Sequence, residues 1–196
     1  MAANRREVTE GCKPPRGNDT TIYHHSVSEL LTERLLLRPF VASDFEAHAE
    51  ICADPEVMRY IRAGALSREA AWWQLARYMG HWQIRGFGLW ATVERGSGRL
   101  IGHLGFLEPE GGHGFELGWA LARSAWGKGL ATEGVRAALR YGAGVLARDR
   151  VICIIQPDNG RSIRLAERLG GRLEREFTED GRRLLQFGLA LPGPAG

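Results

Sequence analysis

Trp119-Ala-Leu-Ala-Arg-Ser-Ala-Trp126-Gly127-Lys128-Gly129-Leu130-Ala131-Thr132-Glu133 decides how the chain is read. The apolar run that enters it, Phe115-Glu-Leu-Gly-Trp-Ala-Leu121, reads as a strand. A short loop with two glycines around a lysine follows. Beyond it, Leu130, Ala131, Val135, Ala138, Leu139 and Gly142 recur at the three-four spacing of one buried helix face. A strand, a glycine loop and a helix start make an anion site. Free N–H groups point outward there, glycine lets the chain approach a phosphate, and the helix dipole favours negative charge. The expected ligand carries phosphates.

Two phosphate motifs can be tested against the residues. In a P-loop, Ala122 would have to be glycine and Gly129 would have to be serine or threonine. A dinucleotide fingerprint matches at Gly127 and Gly129 but has Thr132 at its third glycine, and Asp158 comes later than the ribose-binding acid should. Such a site would also need a parallel βαβαβ sheet, which the strands before the loop disfavour.

The segment resembles the coenzyme A loop of the GNAT acetyltransferases, within them the branch of RimJ/RimL-type ribosomal-protein N-terminal acetyltransferases. Gly118-Trp119, Trp126-Gly127-Lys128-Gly129 and Ala131-Thr132-Glu133 carry the likeness. It extends to Thr32-Glu33-Arg34-Leu-Leu-Leu-Arg38-Pro39, Asp54-Pro55-Glu56-Val57-Met58, and Asn159-Gly-Arg-Ser162-Ile163-Arg164-Leu165 with Leu169-Gly170. The resemblance implies a bacterial N-acetyltransferase with acetyl-CoA as donor and no metal. It implies a splayed pair of central strands, placed here at Phe115–Leu121 and Val151–Gln156. Trp119, Ala120 and Leu121 would pair with the pantetheine arm. Gly127, Lys128, Gly129, Leu130, Ala131 and Thr132 would hold the pyrophosphate.

Composition sets the outer bounds. The 196 residues suffice for one domain with a full core, expected over residues 29–191 between a polar tail, 1–28, and a short tail, 192–196. No apolar run approaches the roughly 20 residues of a membrane span. The N-terminal stretch lacks the apolar segment of a secretory signal. Cys12, Cys52 and Cys153 show no metal-ligand spacing, and free thiols fit a reducing cytoplasm. The net charge of +3 is modest, and no basic run interleaved with aromatics suggests a nucleic-acid partner.

The order of elements follows from periodicity and turn residues. Leu35–Phe40 is an opening strand, with Ser43 and Glu46 as a capping box before the helix Phe45–Cys52. Ser67 caps a longer helix through Trp72, Leu75, Ala76, Met79 and Trp82. Phe87–Val93 and Leu100–Phe106 form a hairpin across Gly96-Ser97-Gly98, and Gly111-Gly112 leads to the strand before the loop. The loop's helix runs to about Leu146. Then come strand Val151–Ile155, helix Ser162–Leu169 and a hairpin across Glu179-Asp180-Gly181. Antiparallel strands followed by strand–helix–strand predict an α/β (α+β) domain: a mixed, mostly antiparallel sheet with helices on both faces. An exposed last hairpin would offer an edge through which two copies could pair.

Acetyl transfer to an amine needs a base for the ammonium proton, a donor for the carbonyl oxygen and a hydrogen bond for the leaving thiolate. Glu116, inside an apolar strand, is the expected base; its other reading is a residue on the solvent side of the sheet. His103 is the second choice and His113 a weaker one. Many GNATs place a tyrosine on the late helix as proton donor; the matching position here is Ala166. Many also begin the loop with Gln or Arg, where this chain has Ser124. Ser162 is the substitute donor, with Asn159 beside it, although both residue types also favour helix caps. Trp72, Trp73, Tyr78 and Trp82 line the acceptor side or belong to the core. Arg59 and Arg62 flank Tyr60 where an acidic group would bind. The acceptor is a primary amine, from a protein N-terminus or a small molecule; a module that binds acyl-CoA without catalysis is the alternative.

Overall fold

A computed structural model of the chain describes residues 29–61 and 64–191. The two expected tails, Cys12 and Arg62 lie outside the described residues. In chain order the elements are β1 (Leu30–Leu31), β2 (Leu35–Arg38), α1 (Phe45–Ala53), α2 (Pro55–Met58), α3 (Arg68–Arg85), β3 (Leu89–Glu94), β4 (Arg99–Leu107), β5 (Glu116–Leu121), α4 (Leu130–Gly144), β6 (Arg150–Ile155), α5 (Gly160–Arg168), β7 (Arg172–Glu179) and β8 (Arg182–Ala190). The strands form one sheet in the order β1-β2-β3-β4-β5-β6-β8-β7. Every neighbouring pair is antiparallel except β5–β6. This is the expected mixed sheet, and it contains no parallel βαβαβ unit among the described residues.

Strand alternation divides the core in two. Trp90, Leu104, Phe106 and Leu117 face α4 and pack on Leu130, Val135, Ala138 and Tyr141. Leu89 and Ala91, one residue out of phase with Trp90, face α3 and meet Leu75 and Tyr78. Ser67 caps α3 as expected, its hydroxyl accepting from Ala70 N–H at 3.1 Å. The capping box of Ser43 and Glu46 does not form. Asp44 replaces it, accepting from Val41 N–H at 2.8 Å and from two guanidinium nitrogens of Arg38 at 2.7 Å. Glu46 turns away to pair with Arg68. A buried carboxylate held by a bidentate arginine outcompetes the two reciprocal hydrogen bonds of a capping box.

The last hairpin turns on Asp180 and Gly181, with φ of 48° and 72°, the left-handed pair of a type I′ turn. Its edge strand β7 is largely exposed and carries Arg172, Glu174, Arg175 and Glu176, a charged edge that opposes pairing between copies. No helix among the described residues is long and apolar enough to cross a membrane.

Gly102 fixes β4 against the end of β5. Its φ is 147°, and a Cβ there would lie 2.2 Å from the Ala120 carbonyl oxygen. Gly102→Ala is expected to destabilise the protein by about 3 kcal/mol through strain and overpacking, measured by urea unfolding.

Candidate active site

β5 and β6 pair in register only at Glu116 and Ile152, with Ile152 N–H donating to Phe115 O at 3.0 Å. Beyond that point β4 holds β5 and β8 holds β6, so the two strands part. Ala122 N–H donates to Ile101 O at 2.8 Å, which shows that even-numbered peptides of β5 face β4. Alternation therefore turns the peptide groups of Leu117 and Trp119 into the gap. Of the three residues expected to meet a pantetheine arm, Trp119 faces the gap and Ala120 faces β4. The Leu121 carbonyl accepts from the Trp126 indole at 2.7 Å.

The loop after β5 makes the mouth of this gap. Gly127 and Gly129 have φ of 73° and 77°, and α4 starts with no side-chain cap. The first N–H groups of a four-turn helix are thus presented with the dipole behind them. Glu133 anchors the helix start. It accepts from the Thr32 hydroxyl at 2.6 Å, Arg34 N–H at 2.8 Å and Arg34 Nε at 2.7 Å. Burial opposes its ionisation, but these donors outweigh that and hold the carboxyl below its ordinary pKa. The same arginine donates to Lys128 O at 2.9 Å.

A cavity of about 920 Å³ opens here, bordered by the loop, Trp119, Ala120, Leu121 and one face of α5 along its length. Arg59, Arg161, Arg164 and Arg168 line it, and the Arg161 guanidinium lies 4.3 Å from the centre of the Trp126 ring. The three α5 arginines were assigned no binding role from the sequence, although their spacing of three and four places them on one helix face. Arg59 therefore lines this cavity together with the α5 arginines. Lys128 is exposed on the loop. An uncapped helix start, left-handed glycines, open strand peptides and four arginines suit a ligand with phosphates and amides. The donor set thus fits acetyl-CoA.

A second cavity, of about 510 Å³, lies on the α3 side of the split. Tyr60, Ile61, Trp119, Asn159 and Ser162 line both cavities, so the two meet there. Gln156 Nε2 donates to Tyr60 O at 3.0 Å and ties that segment to β6. Arg123 does the same from the loop side, donating to Asp54 at 2.6 Å, while Asp54 caps α2 through Glu56 N–H. Asn159 caps α5, its Oδ1 accepting from Ser162 N–H at 3.2 Å. Ala166 is fully buried, so that position belongs to the core.

Glu116 lines the second cavity. Burial, with a smaller contribution from Glu179, pushes its pKa up to about 7. His103 also lines it, but burial and the neighbouring His48 push its pKa down to about 3. A base of that strength takes few protons at neutral pH. His103 Nδ1 has no hydrogen-bond partner, a deficit that costs about 1–3 kcal/mol in a buried group. His113 contacts Glu179 at 3.1 Å, joining the β4–β5 loop to the last turn across the cavity rim. The hairpin thus helps wall the site, a role not foreseen from the sequence. Tyr78 and Trp82 are buried, and Tyr78 lines this cavity. Trp72 and Trp73 lie outside it, 48% and 62% exposed. Among the described residues no three His, Cys, Asp or Glu gather as a metal site.

The raised pKa of Glu116 carries a stability signature. Between pH 4.5 and about 7 the folded state keeps a proton that the unfolded state has released, so stability falls as pH rises through that window. Glu116→Gln removes the fall. Its stability relative to wild type is expected to improve by about 3 kcal/mol between pH 4.5 and 8, read from urea midpoints.

Comparison with known proteins agrees with this geometry. Residues 34–172 match the family model of the acetyltransferase (GNAT) domain. The uncharacterized N-acetyltransferase YnaD of Bacillus subtilis is 32% identical over 148 residues, 76% of this chain and 85% of that protein. A GNAT-family acetyltransferase from Bacillus anthracis superposes with a TM-score of 0.72 at 29% identity, covering 83% of this chain and 98% of the other. RimL, a ribosomal L7/L12 alpha-N-protein acetyltransferase solved in complex with coenzyme A, shares the fold with a TM-score of 0.69 at 18% identity over 83% and 97% of the two chains. A split parallel pair, an uncapped helix start behind two left-handed glycines and a second cavity meeting the first are thus the local form of a known family: the chain is a GNAT acetyltransferase.

Proposed function

We propose that the chain is an acetyl-CoA-dependent N-acetyltransferase of the RimJ/RimL-like branch, acting on a primary amine by direct attack within a ternary complex. The observation that carries this reading is the meeting of the two cavities at Trp119 and Ser162, with Glu116 on the amine side. Acetyl-CoA supplies an acyl group activated by its thiol leaving group. Gly127, Gly129 and the N–H groups of Leu130, Ala131 and Thr132 hold its pyrophosphate, Lys128 and the α5 arginines add positive charge, and Trp119 pairs with the amide arm.

Glu116 takes the proton that the attacking ammonium must lose. A carboxyl with a pKa near 7 is a far better base than an ordinary carboxylate and is still ionised at pH 8. Ser162, its N–H fixed by Asn159, places its hydroxyl to hydrogen-bond the leaving sulfur. Cys153 lines the amine cavity, but burial and then Glu116 push its pKa far above the usual range. It stays a thiol, which supports transfer without an acyl-cysteine. Glu116 lines the second cavity and Ser162 lines both, and this favours an enzyme over a module that only binds acyl-CoA. Buried free thiols at Cys52 and Cys153 fit a cytoplasmic setting. The low pKa of α-amino groups and the likeness to RimL support an N-terminal acceptor; the walled cavity supports a small one.

Thiol release from acetyl-CoA over a panel of small amines, N-terminal peptides and lysine peptides tests this. The expected kcat/KM rises tenfold per pH unit below about 7 and levels off above. Glu116→Gln should remove that limb and lower kcat about 100-fold, and Ser162→Ala about tenfold. Tight coenzyme A binding without turnover on any amine would instead favour the binding module. Separately, Glu133→Gln should weaken coenzyme A binding about tenfold by loosening the helix start, measured by calorimetry.

A further inference from the structure

Gly118, in the middle of β5, is a strand glycine that the protein's own packing does not require. Glycine inside a strand weakens it through backbone entropy and lost packing. It is found there at a bulge, at a tight bend, or where a ligand or another backbone comes close. The other glycines within the described strands are crowded. A Cβ on Gly105 would lie 2.5 Å from Gly88 O, and one on Gly102 or Gly188 would collide with Ala120 O or with the Glu174 carboxylate. Gly118 differs on each count. The β4–β5 register runs without a shift from Gly102–Leu121 to Leu107–Glu116, so no bulge lies there. Its backbone is ordinary strand, with no left-handed φ. A Cβ on it would find no atom beyond its chain neighbours within 4 Å. Close approach of a ligand is the reason that remains.

The position of Gly118 says which ligand. On one face of β5, Glu116 and Gly118 line the second cavity alone, and Ala120 lines the first alone. Gly118 thus stands between the base and the cofactor cavity, where the attacking nitrogen has to pass, and the open space over it lies beside that nitrogen. Leu107, opposite Glu116, and Leu89, beyond Gly105 in the row of Gly118, line the same cavity on this face, so the space suits an apolar group. An unbranched amine would leave it without contacts. We propose that Gly118 is a specificity-determining residue: the space that a side chain would take there is filled by a substituent on the acceptor's amine-bearing carbon. The acceptors are then primary amines branched next to nitrogen, as the α-amino groups of amino-acid and peptide N-termini are. The place of the amine rests on the acetyl-transfer reading; the open space rests on the glycine alone.

Glycinamide and the two enantiomers of alaninamide share an α-amino group and differ by one methyl on the carbon that bears it. Thiol release from acetyl-CoA gives their kcat/KM, and calorimetry gives their binding to the coenzyme A-loaded protein. Wild type is expected to favour one alaninamide enantiomer over glycinamide about fivefold, the effect of burying one methyl. Gly118→Ala puts its own methyl into that space and should lower the alaninamide-to-glycinamide ratio about tenfold, reversing the order. Gly118→Val should lower it further. The urea midpoint of Gly118→Ala should equal or exceed that of wild type, and its coenzyme A affinity should stay within about twofold. Equal use of the amines by wild type, a ratio that Gly118→Ala leaves unchanged, or a fall in stability or coenzyme A binding overturns the proposal. If wild type releases no thiol with any of the three, the acetyl-transfer reading fails and the calorimetric ratio decides. The same reversal in binding then upholds the open site, and no binding or no reversal overturns it.

Discussion

A single point of pairing between β5 and β6 governs the rest of the molecule. Each strand is held along its outer side by a full antiparallel ladder, so neither needs the other to satisfy its backbone there. After Glu116 they diverge, and the inward peptide groups of Leu117 and Trp119 face the gap. A row of strand peptides in this position is complementary to an extended chain with amides of its own. The two cavities exist because the sheet opens, and they meet because it opens along one line.

The residues that carried the resemblance act together in space. Thr32 and Arg34 lie about a hundred positions before Glu133, yet they supply its hydrogen bonds, and Arg34 also holds the loop carbonyl of Lys128. Asp54 joins the other side, capping α2 while it accepts from Arg123. The Gly127–Gly129 loop is therefore braced from both ends by charge-assisted hydrogen bonds, which are stronger and more directional than neutral ones. Such bracing orders the N–H groups of the helix start in advance, a cost that any ligand held there would otherwise bear.

Desolvation acts in opposite directions on Glu116 and His103, two of the titratable groups that line the second cavity. It raises the carboxyl of Glu116 to about 7 and lowers the imidazole of His103 to about 3. The carboxyl is thereby the more basic of the two groups. That order follows from burial and neighbours and not from residue type, since histidine would ordinarily be the better base.

Much of this was legible in the chain. Short-range signals are enough for the strand–loop–helix at Phe115–Gly142, the cap at Ser67 and the Asp180-Gly181 turn, because hydrophobic period and turn chemistry act over a few residues. They failed where a distant group competes. Asp44 replaced the Ser43 and Glu46 cap because Arg68, 22 residues on, takes Glu46 while Arg38 holds Asp44. β1, two residues long, is too short to show a period. Whether Glu116 faced solvent or a cavity, whether Ala166 or Ser162 bordered the cleft, and whether the last hairpin stood free or walled the site were all decided by tertiary structure. Each depends on which surfaces meet across the sheet, and burial and pKa are properties of those meetings, not of the residues alone.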